Sequence, residues 1–202
     1  LVGRGQALIA LGREREALPA FEAAIAADSS LTDVQRRIDV LRFRSIQELI
    51  ESARDATRNG RVADARAAYE RAIAASPESA FLYRELGLLD RKTGQADQAL
   101  ERFRRAADLD PMDTVSLIQI GELLEERKDY AGAEAAYRKA AQLDPTPELS
   151  TRIATAAKNA REAKLPPEFQ AALTSTQLLR GELAALIGVR LERLLRDAPS
   201  HQ

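Results

Sequence analysis

GLLDRKTGQADQALERFRRAADLDP (Gly87–Pro111) and GELLEERKDYAGAEAAYRKAAQLDP (Gly121–Pro145) follow one pattern. In the first, Gly87, Ala99, Phe103, Ala106 and Pro111 are separated by steps of 12, 4, 3 and 5. Gly121, Ala133, Tyr137, Ala140 and Pro145 repeat those steps 34 positions later. Shifting back by 34 finds Ala53, Ala65, Tyr69, Ala72 and Pro77. A fourth copy, Gly5, Ala17, Phe21, Ala24 and Ser29, keeps the steps with Ser in place of the final Pro. A fixed period of this length marks stacked supersecondary units, each unable to bury its apolar face alone.

Within a copy, Tyr83, Leu86 and Gly87, or Leu117, Ile120 and Gly121, form one stripe of a first helix. A turn follows at Gly12, Gly60 and Gly94, with Lys128 in the last copy. Ala99, Phe103 and Ala106 then recur at i, i+4 and i+7, one face of a second helix. Small residues let the two helices approach, and the aromatic fills the space between them. Pro77, Pro111 and Pro145 end the second helices.

On these residues, and on the closing Leu-Asp-Pro at Leu109–Pro111 and Leu143–Pro145, the chain resembles the tetratricopeptide repeat family over about residues 1–28 and 46–145. The resemblance implies an all-α, right-handed α-solenoid whose first helices line a concave groove that holds another polypeptide.

Composition agrees with an Ala-rich, aliphatic helical core. Hydrophobic residues are 45% of the 202, aromatics 4%, and Trp is absent. Lys+Arg is 30 against Asp+Glu 31, a net charge of -1, which speaks against a polyanion binder, and no nucleic acid is expected as partner. Arg outnumbers Lys 25 to 5, a bias suggesting a GC-rich bacterial genome, with cytoplasm and cell envelope both open as compartments. With no Cys and a single His at position 201, thiol chemistry and His-based metal sites are not expected, nor is a cofactor. Phosphate loops, HExxH, GxSxG and Asp-rich calcium loops are missing too, and we expect no enzyme. No stretch reaches the length of a membrane span.

The step between Ala17 and Ala65 is 48, not 34. The fourteen extra residues lie around Leu31 to Ser45, in a stretch without Pro or Gly before Gly60. The spacing predicts one long helix, Thr32 to Arg58, capped by Thr32 or Asp33. The alternative is a break at Ser45, where Ser45 and Glu48 could form a capping box. Either way the first copy, which carries Pro19 in its second helix, is displaced from ordinary stacking, as a hinge or a dimer contact.

After Pro145 the pattern predicts a capping helix over about Glu148–Lys164, with Leu149, Ile153, Ala156 and Ala157 as its apolar face. Pro166-Pro167 precede a last helix, expected to run from the Thr174–Thr176 region to about Arg196. The expected organisation is a partial repeat over 1–30, then the long helix, three repeats and the capping helix over 31–164. A Pro-linked helical segment occupies 165–202. Within it, Leu178–Leu191 resembles the closing helix of an S-layer homology domain through Arg180, Glu182, Leu183 and Ala184. That resemblance implies an envelope-anchored assembly factor; the other reading is an amphipathic helix packed on the repeats.

The aromatics Phe21, Tyr69, Phe103 and Tyr137 fall in the core slot of the repeat. Phe81 does not, and in the family register it faces the groove. Ile50, Arg54 and Arg58 share that face, followed by Arg84, Leu88, Arg91 and Lys92, then Val115, Ile118, Glu122 and Glu125. The face grades from basic through apolar to acidic and suits a peptide or protein partner of opposite gradient. Glu122, Glu125 and Glu126 otherwise read as a solvated helix face. Asn is missing from the groove positions that would make a carboxylate clamp for chaperone tails, so that mechanism is not expected. The second functional reading is self-assembly, with a homodimer formed through the Thr32–Arg58 helix or the C-terminal Leu face.

Overall fold

The protein was analysed as a computed structural model that describes residues 1–166 together with Gln170 and Gly188. The described residues form nine helices: α1 (Val2–Ala10), α2 (Glu14–Ala27), α3 (Thr32–Arg58), α4 (Val62–Ala75), α5 (Ala80–Lys92), α6 (Ala96–Leu109), α7 (Thr114–Glu126), α8 (Tyr130–Leu143) and α9 (Pro147–Glu162). The fold is all-α, of the α-solenoid class, as the period requires. The expected last helix and the S-layer homology resemblance lie outside the described residues. Two compact units, Leu1–Gln119 and Ile120–Gln202, are treated in turn.

In the first unit each helix pair closes as the repeat predicts. Ala17, Ala65 and Ala99 are fully buried, as are the Phe21 and Phe103 rings. A Cβ added at Gly5 would come within 2.5 Å of the Phe21 ring, and one at Gly87 within 2.9 Å of Phe103. Glycine is therefore required by the ring opposite, not by backbone conformation. In the second copy the small residue is the buried Ala53, opposite Tyr69.

The long helix is continuous through Ser45, so the alternative break does not occur. Its cap differs from expectation. The N-cap is Leu31, whose carbonyl accepts the N–H groups of Val34 and Gln35, and no side chain caps the helix. Leu31 packs against the core formed by α1, α2 and α3, and that burial sets the start of the helix ahead of the capping preference of Thr32 or Asp33. Helix α3 serves two apolar clusters. Val34, Ile38 and Leu41 join Leu8, Ala17, Phe21 and Ala24, whereas Ile50, Ala53 and Ala56 join Ala65, Tyr69, Leu82 and Leu86. Ion pairs fasten α2 along α3: Arg42–Glu22 at 2.6 Å, Arg44–Glu14 at 3.0 Å and Arg15–Glu48 at 3.0 Å. All are exposed, and each adds little net stability.

The first helices end in one repeated motif. Arg13, Arg61 and Gln95 N–H groups donate to the carbonyls of Leu8, Ala56 and Asp90, each at 2.8 Å. Between them Gly12, Gly60 and Gly94 take φ of +71°, +70° and +78°. This is the left-handed closure that glycine adopts without penalty. Second helices end in a non-helical residue ahead of Pro, namely Ser76 and the extended Asp110. The first copy has no Pro, and there the Asp28 carboxylate accepts the backbone N–H and hydroxyl of Ser30 to make the turn.

Among the described residues three polar side chains are buried in this unit: Asp90, Asp113 and Ser116. Asp90 is fully buried at the end of α5, 2.5 Å from an Arg66 guanidinium nitrogen. Burial outweighs that pairing and pushes the Asp90 carboxyl above the ordinary value of 3.8.

The second unit holds the same closure, with Tyr137 fully buried against Gly121. Helix α7 ends in the repeated motif, the Asp129 N–H donating to the Leu124 carbonyl at 2.9 Å. Here the left-handed residue is Lys128, at φ +61°. The capping helix starts at Pro147, with the Thr146 hydroxyl accepting the Leu149 N–H at 3.2 Å. Leu149 and Ala156 are its buried residues.

Two outcomes follow from this packing. Lys128→Gly removes a left-handed strain of about 1–2 kcal/mol, partly offset by the greater freedom of the unfolded chain. A net gain of about 0.5–1 kcal/mol is expected in urea unfolding; a loss would contradict the strain argument. For Asp90, the unfolded chain ionises near 3.8 and the folded chain only at higher pH. Between those values rising pH therefore favours unfolding, and above them the penalty is constant. Asp90→Asn should be more stable than wild type at pH 7, with the difference shrinking as pH falls toward 3.8 and absent below it. Unfolding measured at pH 3 and pH 7 checks this.

Candidate functional site

In the first unit, α5 carries Phe81, Arg84, Leu88, Arg91 and Lys92 on one side, at helical steps of 3, 4, 3 and 1. Phe81 is half-buried and packs on the core beside Leu82 and Leu86. Its ring is flanked by two guanidinium groups, Arg54 from α3 at 5.5 Å and Arg84 at 5.4 Å from the ring centroid. Such contacts are worth about 0.5–2 kcal/mol, according to how far they are desolvated. They hold both cations in fixed positions over an aromatic face.

The cations differ in how far they are committed elsewhere. Arg84 also reaches the buried Asp113 carboxylate at 3.1 Å. Asp113 in turn accepts the Ser116 hydroxyl at 2.8 Å and its N–H at 3.2 Å, holding the first turn of α7. Arg91 donates to the Gln119 side-chain carbonyl at 2.5 Å. Arg54 lies close enough to the Tyr69 phenol to favour its ionisation. Burial, then the Glu85 carboxylate, nevertheless push that phenol above its ordinary range. Arg58 is exposed with Asp55 at 3.7 Å, and Lys92 is exposed. Leu88 is 37% exposed and Val115 44%; Ile118 is half-buried.

Ile50 is not on this face. It is 7% exposed and belongs to the core cluster of α3, α4 and α5. It lies three positions before Ala53, and that spacing turns it inward with the alanine.

In the second unit, Glu122 and Glu125 are half-buried, not a freely solvated face. Glu122 accepts from Arg152 of α9 at 2.8 Å. Glu125 accepts the Tyr137 hydroxyl at 2.7 Å. Arg152 stacks 5.7 Å from the Tyr137 ring centroid and also pairs with Glu148 at 3.1 Å. Burial first, and the Glu125 hydrogen bond next, drive the Tyr137 phenol far above its ordinary range. The Arg152 guanidinium is raised above its ordinary value, chiefly by its hydrogen bond to Tyr137. The network is a fastening between α7, α8 and the capping helix.

Three predicted residues, Arg54, Phe81 and Arg84, thus meet in one contact, and Arg58, Leu88 and Lys92 stand exposed. Unforeseen were the partners Asp113, Gln119 and Arg152, which hold the charges in place, and Glu85 beside the Tyr69 phenol. Among the described residues no group of three or more His, Cys, Asp or Glu is arranged to hold a metal ion. No described helix is long and apolar enough to cross a membrane.

Comparison with known proteins places this geometry. Tetratricopeptide repeat models match residues 1–31, 50–89 and 84–146. A probable biofilm formation methyltransferase of Pseudomonas aeruginosa, WspC, is 39% identical over 83 residues, which is 41% of this chain and 20% of that protein. The chain thus spans about a fifth of that relative's length. Among solved structures, MamA superposes with a TM-score of 0.53 at 16% identity, covering 95% of each chain. The Yersinia enterocolitica type III secretion chaperone SycD, in complex with a peptide of the translocator YopD, gives a TM-score of 0.52 at 21% identity. That match covers 60% of this chain and 96% of that one. At these identities the two structures speak for the fold. Repeat steps, glycine–aromatic closures and matched models agree, and the chain belongs to the tetratricopeptide repeat family.

Proposed function

We propose that the chain is a non-enzymatic scaffold that binds a peptide or protein partner in the concave groove of its repeats, with the first-helix face around Phe81 as anchor. The observation that carries this reading is the Phe81 ring held between Arg54 and Arg84, with Leu88 exposed two turns along the same helix. A fixed aromatic flanked by guanidinium groups offers what interface hot spots use, a rigid apolar surface with planar donors. Arg58 and Lys92 extend the basic character of the face. A partner segment with an apolar residue for Phe81 and Leu88 and carboxylates for Arg54 and Lys92 is the complement. The carboxylates of Glu122 and Glu125, in the second unit, are already engaged by Arg152 and Tyr137. The SycD structure with its YopD peptide supports the reading by kinship of fold.

The test uses substitutions that spare the buried pairs. Arg84 is left alone, because removing it would strand the buried Asp113 carboxylate. Phe81→Ala with Arg54→Glu is introduced into the full chain, its helicity is checked by circular dichroism, and partners are captured beside wild type. The variant should lose captured partners at least tenfold, about 1.4 kcal/mol, and the wild-type interaction should weaken with salt. Partners retained equally by both chains would overturn the assignment.

A further inference from the structure

A depression in the first unit, among α1, α2 and α3, takes no part in the face around Phe81. Its apolar wall is Ile9, Phe21, Val40 and Leu41, and it holds about 270 Å³. Arg36, Arg37, Arg44 and Glu14 complete the lining. The α3 residues occur at 36, 37, 40, 41 and 44, one side of the helix by spacing. Val40 is 51% exposed, and Phe43, one turn further along, is 62% exposed.

The size of the depression restricts its occupant. Small-molecule sites run to roughly 300–1,000 Å³, so this one is suited to a side chain or two of a polypeptide. Its charge restricts the occupant further. Three guanidinium groups face one carboxylate, and that carboxylate, Glu14, is already paired with Arg44 at 3.0 Å. Arg36 makes only a local pair with Asp33, and Arg37 has no ion-pair partner among the described residues. The lining therefore keeps net positive charge beside apolar surface. Exposed arginines so placed prefer carboxylates, which they bind through two parallel N–H donors.

We propose that this depression is a second recognition site, distinct from the face around Phe81, for a partner segment presenting a large apolar side chain with carboxylates within one helical turn of it. The apolar side chain enters beside Val40 and Leu41, and the carboxylates meet Arg36 and Arg37. Phe43 supplies a shoulder for the rest of the segment.

A phage-displayed library of random dodecapeptides is panned on the immobilised full chain. Parallel pannings use the Val40→Glu/Arg37→Glu chain and the Phe81→Ala/Arg54→Glu chain. Val40 and Arg37 are solvent-exposed, so the fold should survive, as circular dichroism would show; Val40→Ser/Arg37→Gln is the milder pair if it does not. Wild type and the Phe81 variant should both enrich peptides carrying Leu, Ile, Phe or Met within four positions of Asp or Glu. A synthetic peptide from that set should bind the Val40 variant at least tenfold more weakly, and lose as much when its carboxylates become amides. Several results would overturn the proposal: no enrichment over bare support, enriched peptides without acidic residues, or binding unchanged in the Val40 variant. Peptides lost only in the Phe81 variant would leave the earlier reading standing and remove this one. A concentration-dependent dimer abolished by Val40→Glu would name a second copy of the chain as occupant and overturn it equally.

Discussion

An aromatic ring pressed against a backbone with no room for a side chain is the contact on which this molecule depends. Phe21 meets Gly5, Phe103 meets Gly87 and Tyr137 meets Gly121. Each ring sets the distance between the two helices of a pair, and the buried alanines at 17, 65, 99 and 133 let them stay that close. Once the inward stripe is fixed, the outward one is fixed too, because both ride on the same helix. Phe81, Arg84 and Leu88 face away from the ring because Leu82, Leu86 and Gly87 face it. Alanine-rich pairs bury little apolar area each, so their stability comes from neighbours stacked in series.

The surface is where the copies part company. Arg84, Ile118 and Arg152 occupy one register position, 34 residues apart. Arg84 reaches the buried Asp113, Ile118 is half-buried, and Arg152 joins Glu122 and the Tyr137 hydroxyl. Repetition fixes where the Cα–Cβ bond points, and the neighbours decide what the side chain then does. An arginine beside a buried carboxylate is part of the structure first, because removing one partner leaves the other charge uncompensated at a cost of about 3–5 kcal/mol. Exposed Arg58 and Lys92 carry no such commitment to a buried group.

This division explains what could be read from the chain alone. Period, helix pairs, the long α3 and the turn at Lys128 were all legible, since each follows from residues close in sequence or from a strict repeat. The core position of Ile50 is legible as well, from its three-residue spacing to Ala53, although the family register alone points it to the groove. The cap of α3 was hidden because Leu31 wins by burial, which local capping preference does not register. The partners of the arginines were hidden for another reason. Asp113 lies 29 positions from Arg84 and Gln119 lies 28 from Arg91, and no periodic signal links a charge to its counterpart at that range.

Helix α3 carries two buried stripes at different phases. At about 100° per residue, the stripe Val34–Ile38–Leu41 and the stripe Ile50–Ala53–Ala56 point about 90° apart around α3. One helix can therefore close the core of α1 and α2 with its first half and open the core of α4 and α5 with its second, without the two clusters merging. The same rotation leaves the side carrying Arg36, Val40 and Phe43 turned away from both stripes. An ordinary step of 34 would give α3 no such length. A single exposed phenylalanine on a helix is unremarkable. Here the exposed apolar pair, Val40 and Phe43, sits on the side that the helix phase leaves uncovered, beside arginines that α2 only partly neutralises.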